Sequence, residues 1–444
     1  MNQYNVVIIG GGPAGLNLAY PLKVAGLKVA VVEENLWGGT CPNRGCDPKK
    51  VLISAVEAQA HTEYMYQHGI ENVAKIDWPA LMAYEKTFTA PVSKSSKNSL
   101  IASEIDAIDG HASFIDEHQL KVGNQVITSD KFVIATGQRP RRLTNIKNES
   151  VMKTSTDFLK MDDLPKEIAF VGGGYIAFEL AKIASAAGSI VHIIHHDDHP
   201  LGAFYSEYIK DLINENEKHN IHMHYNIDIR EIETKQNQYV LKDDNGFQLK
   251  VDRVFTTAGR VANDDTLNLD KIGVNTNPGG IEVNDHMQTN VKNIYAMGDV
   301  VAKRIPKLTP VASFEAQYLA QLLTDKSNEA IQYPVIPTIV YGMPKVAQVG
   351  VQIQVALENS DKYEVNNLDT TNWFTYRRLR DPLAKVSVVR QKSDGKVVGA
   401  AMISSEADVL INEFTFWINH GGMSSEVLNQ IFAYPTVTSD LKYM

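Results

Sequence analysis

The chain has 444 residues, of which 44% are hydrophobic and 21% charged, and its formal net charge at pH 7 is −9. This length predicts about three domains at roughly 150 residues each, and the acidic balance argues against a nucleic-acid partner, which would select a basic surface. No apolar run approaches the roughly 20 residues of a membrane span, and a strand directly after the first residues leaves no room for a signal peptide, so no membrane association and a cytoplasmic location are predicted.

The N-terminal segment predicts a strand–helix–strand unit. The apolar run from Asn5 to Ile9 is typical of a buried parallel strand. A helix is predicted from Leu16 to about Ala25, with Pro21 as a point where it kinks, and a second strand from Lys28 to Glu33. A glycine-rich turn between such a strand and helix is typical of dinucleotide binding; an ordinary turn in a sheet protein is the alternative.

The turn residues have distinct predicted roles. Gly10 permits the tight turn, Gly12 lets the backbone approach a pyrophosphate, and Gly15 lets the helix pack closely on the strand. The helix N-terminus offers free N–H groups to the phosphates, and Glu33 is placed to accept hydrogen bonds from ribose hydroxyls. The turn residues predicted to bind the nucleotide are Gly10, Gly12, Pro13, Ala14 and Gly15.

The two cysteines, Cys41 and Cys46, lie five positions apart. In a regular helix their Cα atoms would be about 8–9 Å apart, whereas a disulfide needs roughly 4.4–6.8 Å. The segment is therefore predicted to depart from helix geometry, which Pro42 and Gly45 favour. A redox-active pair is the favoured interpretation over inert thiols and over a metal site, for which further cysteine ligands are missing. No metal site is predicted.

A second strand–helix–strand unit follows, with strands predicted at 167–171 and 190–194 and a helix from Phe178 to Ala187. Its strand ends in His195 and His196, where an NAD enzyme would have a carboxylate. A carboxylate would repel the 2′-phosphate of NADP, whereas imidazoles could donate to it, so NADPH is predicted, with NADH as the alternative. A solvated turn without phosphate contact is the other interpretation. The turn residues of this site are Gly172, Gly174, Tyr175 and Ala177.

From about Pro334 the pattern changes to an α+β arrangement. Strand-like segments at 336–340, 384–389 and 397–403 precede a long helix predicted from about Glu406 to Asn419. Because no low-complexity linker separates this region from the preceding one, its boundary is defined only by the change of pattern.

Together these motifs resemble the pyridine nucleotide-disulfide oxidoreductases, the family of glutathione reductase, lipoamide dehydrogenase and mercuric reductase. Further markers over nearly the whole chain are Ala135-Thr136-Gly137, Ala258-Gly259-Arg260 and Ala296-Met297-Gly298-Asp299-Val300. The resemblance implies an α/β fold with two Rossmann-like domains, for FAD and NAD(P), and a C-terminal α+β dimerisation domain. The implied segments are FAD-binding 1–146, NAD(P)-binding 147–262, a central domain 263–331 that completes the FAD site, and an interface domain 332–444.

The resemblance also implies a homodimeric enzyme that passes electrons from NADPH through FAD to the Cys41–Cys46 disulfide. From there they reach a small disulfide, as in glutathione reductase, or a reactive sulfur species. Cys46 would be the charge-transfer sulfur beside the flavin and Cys41 the thiol that attacks substrate. Lys50 would pair with Glu179 near the flavin, with an ordinary ion pair as the alternative. The other implied cofactor residues are Gly39, Thr40, Thr136, Gly137, Gly298 and Asp299 for FAD, and Gly259 for NAD(P).

The chain departs from this family near its C-terminus. The usual His-Pro-Thr segment with its following Glu, which supplies acid–base catalysis from the partner subunit, is replaced by Tyr434 and Ser439. Tyr434 is predicted to donate a hydrogen bond to the substrate sulfur, or else to pack at the dimer contact. Beside the cysteines, Lys49 and Asp47 also replace the usual residues. These departures leave two alternatives open: a flavoprotein reductase or oxidase with non-disulfide acceptors, and a redox-sensing flavoprotein with little turnover.

Overall fold

A computed structural model describes residues 2–422 and 429–444. The α-helices are α1 Pro13–Val24, α2 Thr40–Arg44, α3 Cys46–Tyr64, α4 Trp78–Thr89, α5 Val92–Ala102, α6 Ser155–Phe158, α7 Tyr175–Ala186, α8 Ser206–Glu217, α9 Thr309–Leu323, α10 Ile353–Glu358, α11 Phe374–Arg377 and α12 Ala407–Asn419. Short 3₁₀ helices are Glu149–Val151, Leu269–Ile272, Gly298–Val300 and Thr438–Tyr443.

The strands follow the same chain order. They are β1 Asn2–Ile9, β2 Val29–Glu33, β3 Asp106–Asp109, β4 Ala112–Asp116, β5 Gln119–Val122, β6 Gln125–Ile134, β7 Gln138–Pro140, β8 Glu167–Val171, β9 Ile190–Ile194, β10 Ile221–His224, β11 Glu231–Lys235, β12 Gln238–Lys242, β13 Gln248–Val251, β14 Arg253–Thr256, β15 Arg260–Ala262, β16 Thr276–Asn277, β17 Gly280–Ile281, β18 Ile294–Ala296, β19 Thr338–Val340, β20 Lys345–Gly350, β21 Tyr363–Asp369, β22 Lys385–Gln391 and β23 Val397–Ser404.

The chain divides into two compact units. The first comprises 1–50, 83–141 and 259–332, and the second comprises 51–82, 142–258 and 333–444. Each unit is therefore assembled from segments that are distant in sequence. The four segments implied by the family resemblance, with boundaries at 146, 262 and 331, stay a prediction.

The first unit contains a sheet in the order β3-β2-β1-β6-β5-β4. Its β3, β2, β1 and β6 strands run parallel, and β18 adds a further parallel strand against the second half of β6. The second half of β1 and most of β2 are apolar on both faces, as expected where helices cover a parallel sheet. Their carboxyl ends, where β1 and β2 finish, carry the first glycine turn and Glu33.

The second unit contains the same strand–glycine turn–helix arrangement. Its parallel sheet has the order β10-β9-β8-β14, with the second glycine turn between β8 and α7. An antiparallel sheet in the order β11-β12-β13 follows β10 in the chain. The predicted pair of Rossmann-like units is confirmed.

The C-terminal part of the second unit is built on an antiparallel sheet in the order β19-β20-β23-β22-β21. Apolar residues of this sheet and of α12 form one buried cluster, which includes Val388, Met402, Leu410 and Ile411. The predicted α+β character of this region is therefore confirmed.

Helix boundaries differ from the prediction in two places. The first helix begins at Pro13 rather than Leu16, and the missing N–H of Pro13 costs no hydrogen bond there. As predicted, it continues beyond Pro21, and the N–H of Ala25 reaches the Pro21 carbonyl at 3.0 Å. The helix of the second unit begins at Tyr175, directly after Gly174. Among the described residues, no helix is both long and apolar enough to cross a membrane.

Candidate active site

The first glycine turn is held by close backbone contacts. Gly10 has φ +117°, and a Cβ there would lie 2.3 Å from the Ala135 carbonyl oxygen. A Cβ on Gly15 would lie 2.0 Å from the Gly10 carbonyl oxygen. Both positions therefore exclude any side chain, as the tight turn and the close helix–strand packing require.

A cradle for a dinucleotide opens above this turn. Gly12 caps α1 without a capping side chain, which leaves first-turn N–H groups for an anion. Gly39 has φ +70°, and a Cβ on it would lie 2.5 Å from the Gly12 Cα. A side chain on either glycine would intrude on this space. Pro13 and Ala14 begin α1, and Thr40 begins α2 directly after Gly39.

Glu33 closes one side of this cradle. Its carboxylate oxygens accept the N–H of Gly11 at 2.7 Å and the N–H of Asn35 at 2.8 Å. Burial raises the pKa of Glu33 above its ordinary value, although both backbone bonds oppose that shift. The carboxylate thus has a fixed position from which it can also accept ribose hydroxyls.

The segment after β18 supplies further residues to the same unit. Gly298 has φ +74°, and its N–H donates to the buried carboxylate of Glu315 at 2.6 Å. Burial raises the pKa of Asp299, against the opposing charges of Arg260 and Lys307. Lys307 donates to the Asp299 carbonyl oxygen at 2.7 Å. The residues therefore fit a buried hydroxyl-rich cofactor chain at Asp299.

Thr136 and Gly137 follow the end of β6. The hydroxyl of Thr136 donates to the Asn263 carbonyl oxygen at 2.7 Å, and the Asn263 side chain donates back to the Thr136 carbonyl oxygen at 2.8 Å. Gly137 has φ +67° and Gly259 φ +95°. These contacts join the β6 end to the segment that starts at Gly259.

The two cysteines lie on either side of a helix break. Cys41 belongs to α2 and Cys46 begins α3, and Gly45 between them has φ −142° and ψ −113°. The predicted departure from helix geometry is confirmed. Cys41 is half-buried and Cys46 is exposed.

The surroundings treat the two sulfurs differently. A hydrogen bond with Cys46, followed by burial, raises the pKa of Cys41 far above that of an ordinary thiol. Sγ of Cys41 lies 3.8 Å from Oδ1 of Asp47, and Sγ of Cys46 lies 3.9 Å from Oγ1 of Thr309. Contact between the two sulfurs therefore disfavours ionisation of Cys41.

The second glycine turn has the same construction as the first. Gly172 has φ +115°, and a Cβ there would lie 2.6 Å from the Ala258 nitrogen. Gly174 caps α7 without a capping side chain, Tyr175 is 46% exposed, and Ala177 is fully buried. The predicted turn residues of this site therefore lie together at one helix N-terminus.

His195 takes the hydrogen-bonding role in the second turn that a strand-end carboxylate has in the first. Its Nδ1 accepts the N–H of Gly173 at 3.0 Å, the bond that Glu33 accepts in the first turn. Its Nε2 lies 2.9 Å from Asp197, and burial lowers the pKa of the ring. His195 is thus a neutral ring whose N–H points at Asp197. His196 is exposed and lies 3.1 Å from the other Asp197 oxygen.

The geometry of His195 bears on metal binding. His195, His196 and Asp197 bring one potential ligand atom each within 4.8 Å of one another, as do Asp197, Asp198 and His199. Since Nδ1 of His195 accepts an N–H, its Nε2 carries the proton of the neutral ring and has no lone pair for a metal. The first group is therefore better suited to hydrogen bonding than to metal binding.

The remaining predicted catalytic residues are distributed over both units. Lys50 belongs to the first unit and Glu179 to the second, where Glu179 is 5% exposed and accepts the N–H of Tyr341 at 3.0 Å. Tyr434 is 73% exposed, and the hydroxyl of Ser439 donates to the Thr436 carbonyl oxygen at 2.6 Å. The pairing of Lys50 with Glu179 stays a prediction.

Some residues of the first site were missed from sequence. Trp37 is 3% exposed, would contact a Cβ on Gly11, and donates its indole N–H to Asp109 at 2.8 Å. Thr309 beside Cys46 and Glu315 beneath Gly298 lie on α9. The position of α9 directly after the Gly298-Asp299 motif is a signal that could have identified these two. No sequence signal marks Trp37.

Residues 4–316 match the pyridine nucleotide-disulphide oxidoreductase family, and residues 336–444 match the dimerisation domain of the same family. The chain belongs to this family. It is an NAD(P)H-dependent FAD disulfide oxidoreductase, and its C-terminal domain supports a homodimer. The cradles at both glycine turns fit the two dinucleotides that the family uses.

Several proteins are similar to this chain over nearly their whole lengths. The dihydrolipoyl dehydrogenase of Chlamydia pneumoniae is 28% identical, covering 98% of this chain and 95% of that protein. The enzyme of the same name from Geobacillus stearothermophilus is 29% identical, covering 98% and 94%. The structure of RclA, an HOCl-induced flavoprotein disulfide reductase from Escherichia coli, is similar with a TM-score of 0.90 and 25% identity, covering 99% of each chain. A Cu(II) complex of RclA has the same TM-score at 26% identity.

Proposed function

We propose that this enzyme uses NADPH to reduce a small disulfide or a reactive sulfur species through Cys41 and Cys46. The observation that carries the proposal is the cysteine pair itself, in hydrogen-bond contact across the break at Gly45. FAD, when bound, would supply a two-electron carrier between the nicotinamide and this cysteine pair. The protein then has to hold one sulfur as nucleophile and to direct protons.

The two sulfurs are suited to different tasks. Cys41, whose pKa is raised by its contact with Cys46, lies against Asp47, and we assign it to substrate attack. Cys46 begins α3, where a helix N-terminus favours a thiolate, and we assign it to the flavin side. Lys50 and Glu179 are proposed as an ion pair at that side.

NADPH is the proposed reductant because no carboxylate ends β9. His195 is a neutral ring that fixes the turn, and His196, with its side chain 71% exposed, is the imidazole proposed to meet the 2′-phosphate. Asp197 touches both rings, so its negative charge lies beside the imidazole proposed to meet the 2′-phosphate and opposes that contact. Asp197→Asn should therefore increase the preference for NADPH over NADH.

The test is an anaerobic titration of the FAD-loaded protein with NADPH and, separately, with NADH, followed by absorbance. We expect a long-wavelength band from a Cys46 thiolate beside the flavin, reached with less NADPH than NADH. Cys41→Ser should keep that band and lose disulfide turnover, whereas Cys46→Ser should lose both. Full disulfide turnover by Cys41→Ser would refute the proposal. If the long-wavelength band formed with less NADH than NADPH, the choice of NADPH would be refuted.

A second candidate is the transfer of electrons to acceptors other than disulfides. It is favoured by Tyr434 at the position of the family's acid–base histidine and by the Cu(II) complexes of the similar RclA. Oxygen, quinone or Cu(II) reduction that survives replacement of both cysteines would support this candidate. Loss of these activities in the double variant would exclude it.

A further inference from the structure

We propose that Asp47 exchanges protons with Cys41 during disulfide reduction, a task performed by a histidine in typical members of this family. The proposal rests on the proposed function and concerns only its acid–base chemistry. It makes Asp47 a catalytic residue, because its carboxylate touches the reacting sulfur.

The contact between the two side chains comes from the helix break. Cys41 and Asp47 are six positions apart, so in one continuous helix they would be about 9 Å apart along the axis and on different faces. The break at Gly45 instead brings Sγ of Cys41 to 3.8 Å from Oδ1 of Asp47. A carboxylate that accepts a hydrogen bond from the thiol is thus already in place.

Cys41 must lose its proton when it attacks the substrate, and this loss requires an acceptor such as Asp47. The thiolate is the reactive form of a cysteine, yet contact with Cys46, then burial and the charge of Asp47, raise the pKa of Cys41. The proton has to leave as the sulfur attacks. If it moved to Cys46, that sulfur would be blocked for the second step, in which it must attack Cys41. Asp47 is exposed and accepts the proton without that conflict.

The step balances as follows. The Cys41 sulfur forms a bond to one sulfur of the substrate R–S–S–R while its proton moves to Asp47. The substrate S–S bond breaks, and its electron pair leaves with R–S⁻, which takes the proton from Asp47 to become R–SH. The Cys46 thiolate then attacks the Cys41 sulfur, restores the protein disulfide and releases a second R–S⁻. The dithiol is oxidised and the substrate is reduced by two electrons.

An ordinary role for Asp47 is to stabilise α3, since it is the acidic residue of that helix's first turn. The two roles differ in their dependence on the leaving group. A proton donor matters for a poorly leaving thiolate and hardly at all for one that leaves unaided. A structural role affects both kinds of substrate alike.

The experiment mixes anaerobic NADPH-reduced, FAD-loaded enzyme with either of two neutral disulfides and follows the loss of the long-wavelength band. Hydroxyethyl disulfide releases a poorly leaving thiolate, whereas dithiodipyridine releases a stable thione. We expect Asp47→Asn to react about 100-fold more slowly with hydroxyethyl disulfide, the usual scale of acid–base assistance, and to react normally with dithiodipyridine. Its rate with hydroxyethyl disulfide should rise with pH more steeply than that of the wild type.

Two variants serve as controls. Asp47→Glu keeps a carboxylate and should recover part of the loss, and Glu207→Gln removes an exposed first-turn carboxylate of α8 and should change neither rate. If Asp47→Asn does not retain FAD, Asp47→Ser takes its place. Equal losses with both disulfides, or no loss, would overturn the proposal. A wild-type enzyme that reduces neither disulfide would instead refute the proposed function.

Discussion

At the scale of single residues, the two nucleotide turns differ in the side chain that fixes them. Glu33 accepts the N–H of Gly11, and His195 accepts that of Gly173. The sequence predicted a ribose or phosphate contact for both positions but not this backbone bond. The reason is physical: the direction of a turn N–H depends on φ and ψ of the turn, which a motif does not specify. The bond uses Nδ1 of His195, so the ring cannot donate from that atom to a phosphate.

Glycine substitutions can separate folding from nucleotide binding. A Cβ on Gly12 would meet only the Gly39 Cα at 3.6 Å, and one on Gly174 only the Thr257 carbonyl oxygen at 3.9 Å, both ordinary contacts. We therefore expect Gly12→Ala and Gly174→Ala to fold. The added methyl groups should obstruct the phosphates, so Gly12→Ala should lose bound FAD and Gly174→Ala should raise the KM for NADPH about tenfold or more, since each lost 1.4 kcal/mol is a factor of ten.

The matched control is a glycine at which an added Cβ would collide with the backbone. Gly15→Ala would place its Cβ 2.0 Å from the Gly10 carbonyl oxygen and should be unfolded or insoluble. Flavin content, circular dichroism and initial rates measure the outcomes. Full FAD content in Gly12→Ala would contradict the assignment of that turn.

At the scale of elements, the sequence predicted the type of most strands and helices and the break between the cysteines. It could not predict the position of Asp47, because the side-chain direction beyond the break depends on the unusual dihedral angles of Gly45. It also began the first helix at Leu16, whereas α1 begins at Pro13. Local propensity is a weak guide here, since packing of a helix on its sheet overrides it.

A buried ion cluster joins three elements of the second unit. Nζ of Lys345 on β20 lies 3.2 Å from Glu57 on α3 and 3.0 Å from Asp408 on α12. Lys345→Met would remove the ammonium contact of both carboxylates, so we expect a loss of about 2–3 kcal/mol in the free energy of unfolding. Denaturant unfolding of the FAD-loaded protein measures it. Lys396→Met, which breaks an exposed pair with Asp394, should cost less than about 1 kcal/mol.

The pH dependence of this cluster has a definite sign. Burial alone would lower the pKa of Lys345, but Asp408 and Glu57 outweigh it and raise the pKa above its ordinary value. A lysine whose pKa is raised by folding contributes fully to stability at pH values below its pKa in the unfolded chain, about 10.4. This stabilisation is lost as pH rises through the pKa of the folded protein. The difference between Lys345→Met and wild type should therefore be constant from pH 6 to 9. A difference that vanished within that range would contradict the assignment.

At the scale of the whole molecule, the motifs predicted both dinucleotide units and the α+β region, because each depends on local patterns of glycine and apolar residues. The grouping of 259–332 with the N-terminal segment follows from the pairing of β18 with β6, a contact between positions more than 150 residues apart. The Gly298-Asp299 motif implied this return only through the family resemblance. Nothing in the local sequence of β18 specifies its partner strand.

The dimer is where Tyr434 can act. Tyr434 is 73% exposed in the single chain, and the family resemblance implies that this position approaches the partner subunit's cysteines, a role that we propose for Tyr434. If its hydroxyl donates to the substrate sulfur, Tyr434→Phe should lose one hydrogen bond of about 0.5–1.5 kcal/mol, or about two- to tenfold in disulfide reduction. Reduction of the bound flavin by NADPH should be unchanged, because that half-reaction does not involve the substrate sulfur.

Tyr443→Phe is the matched control, since Tyr443 is also exposed and follows in the same C-terminal segment, where its ring packs edge-on against Trp373. Stopped-flow rates of the two half-reactions measure the effect. Unchanged rates in Tyr434→Phe would reject the donor role and leave aromatic packing at the dimer contact. Tyr434→Ala would then weaken the dimer in sedimentation at low concentration. If Tyr434 is a donor, Tyr434→Phe should instead remain dimeric and slow only the half-reaction that consumes the disulfide.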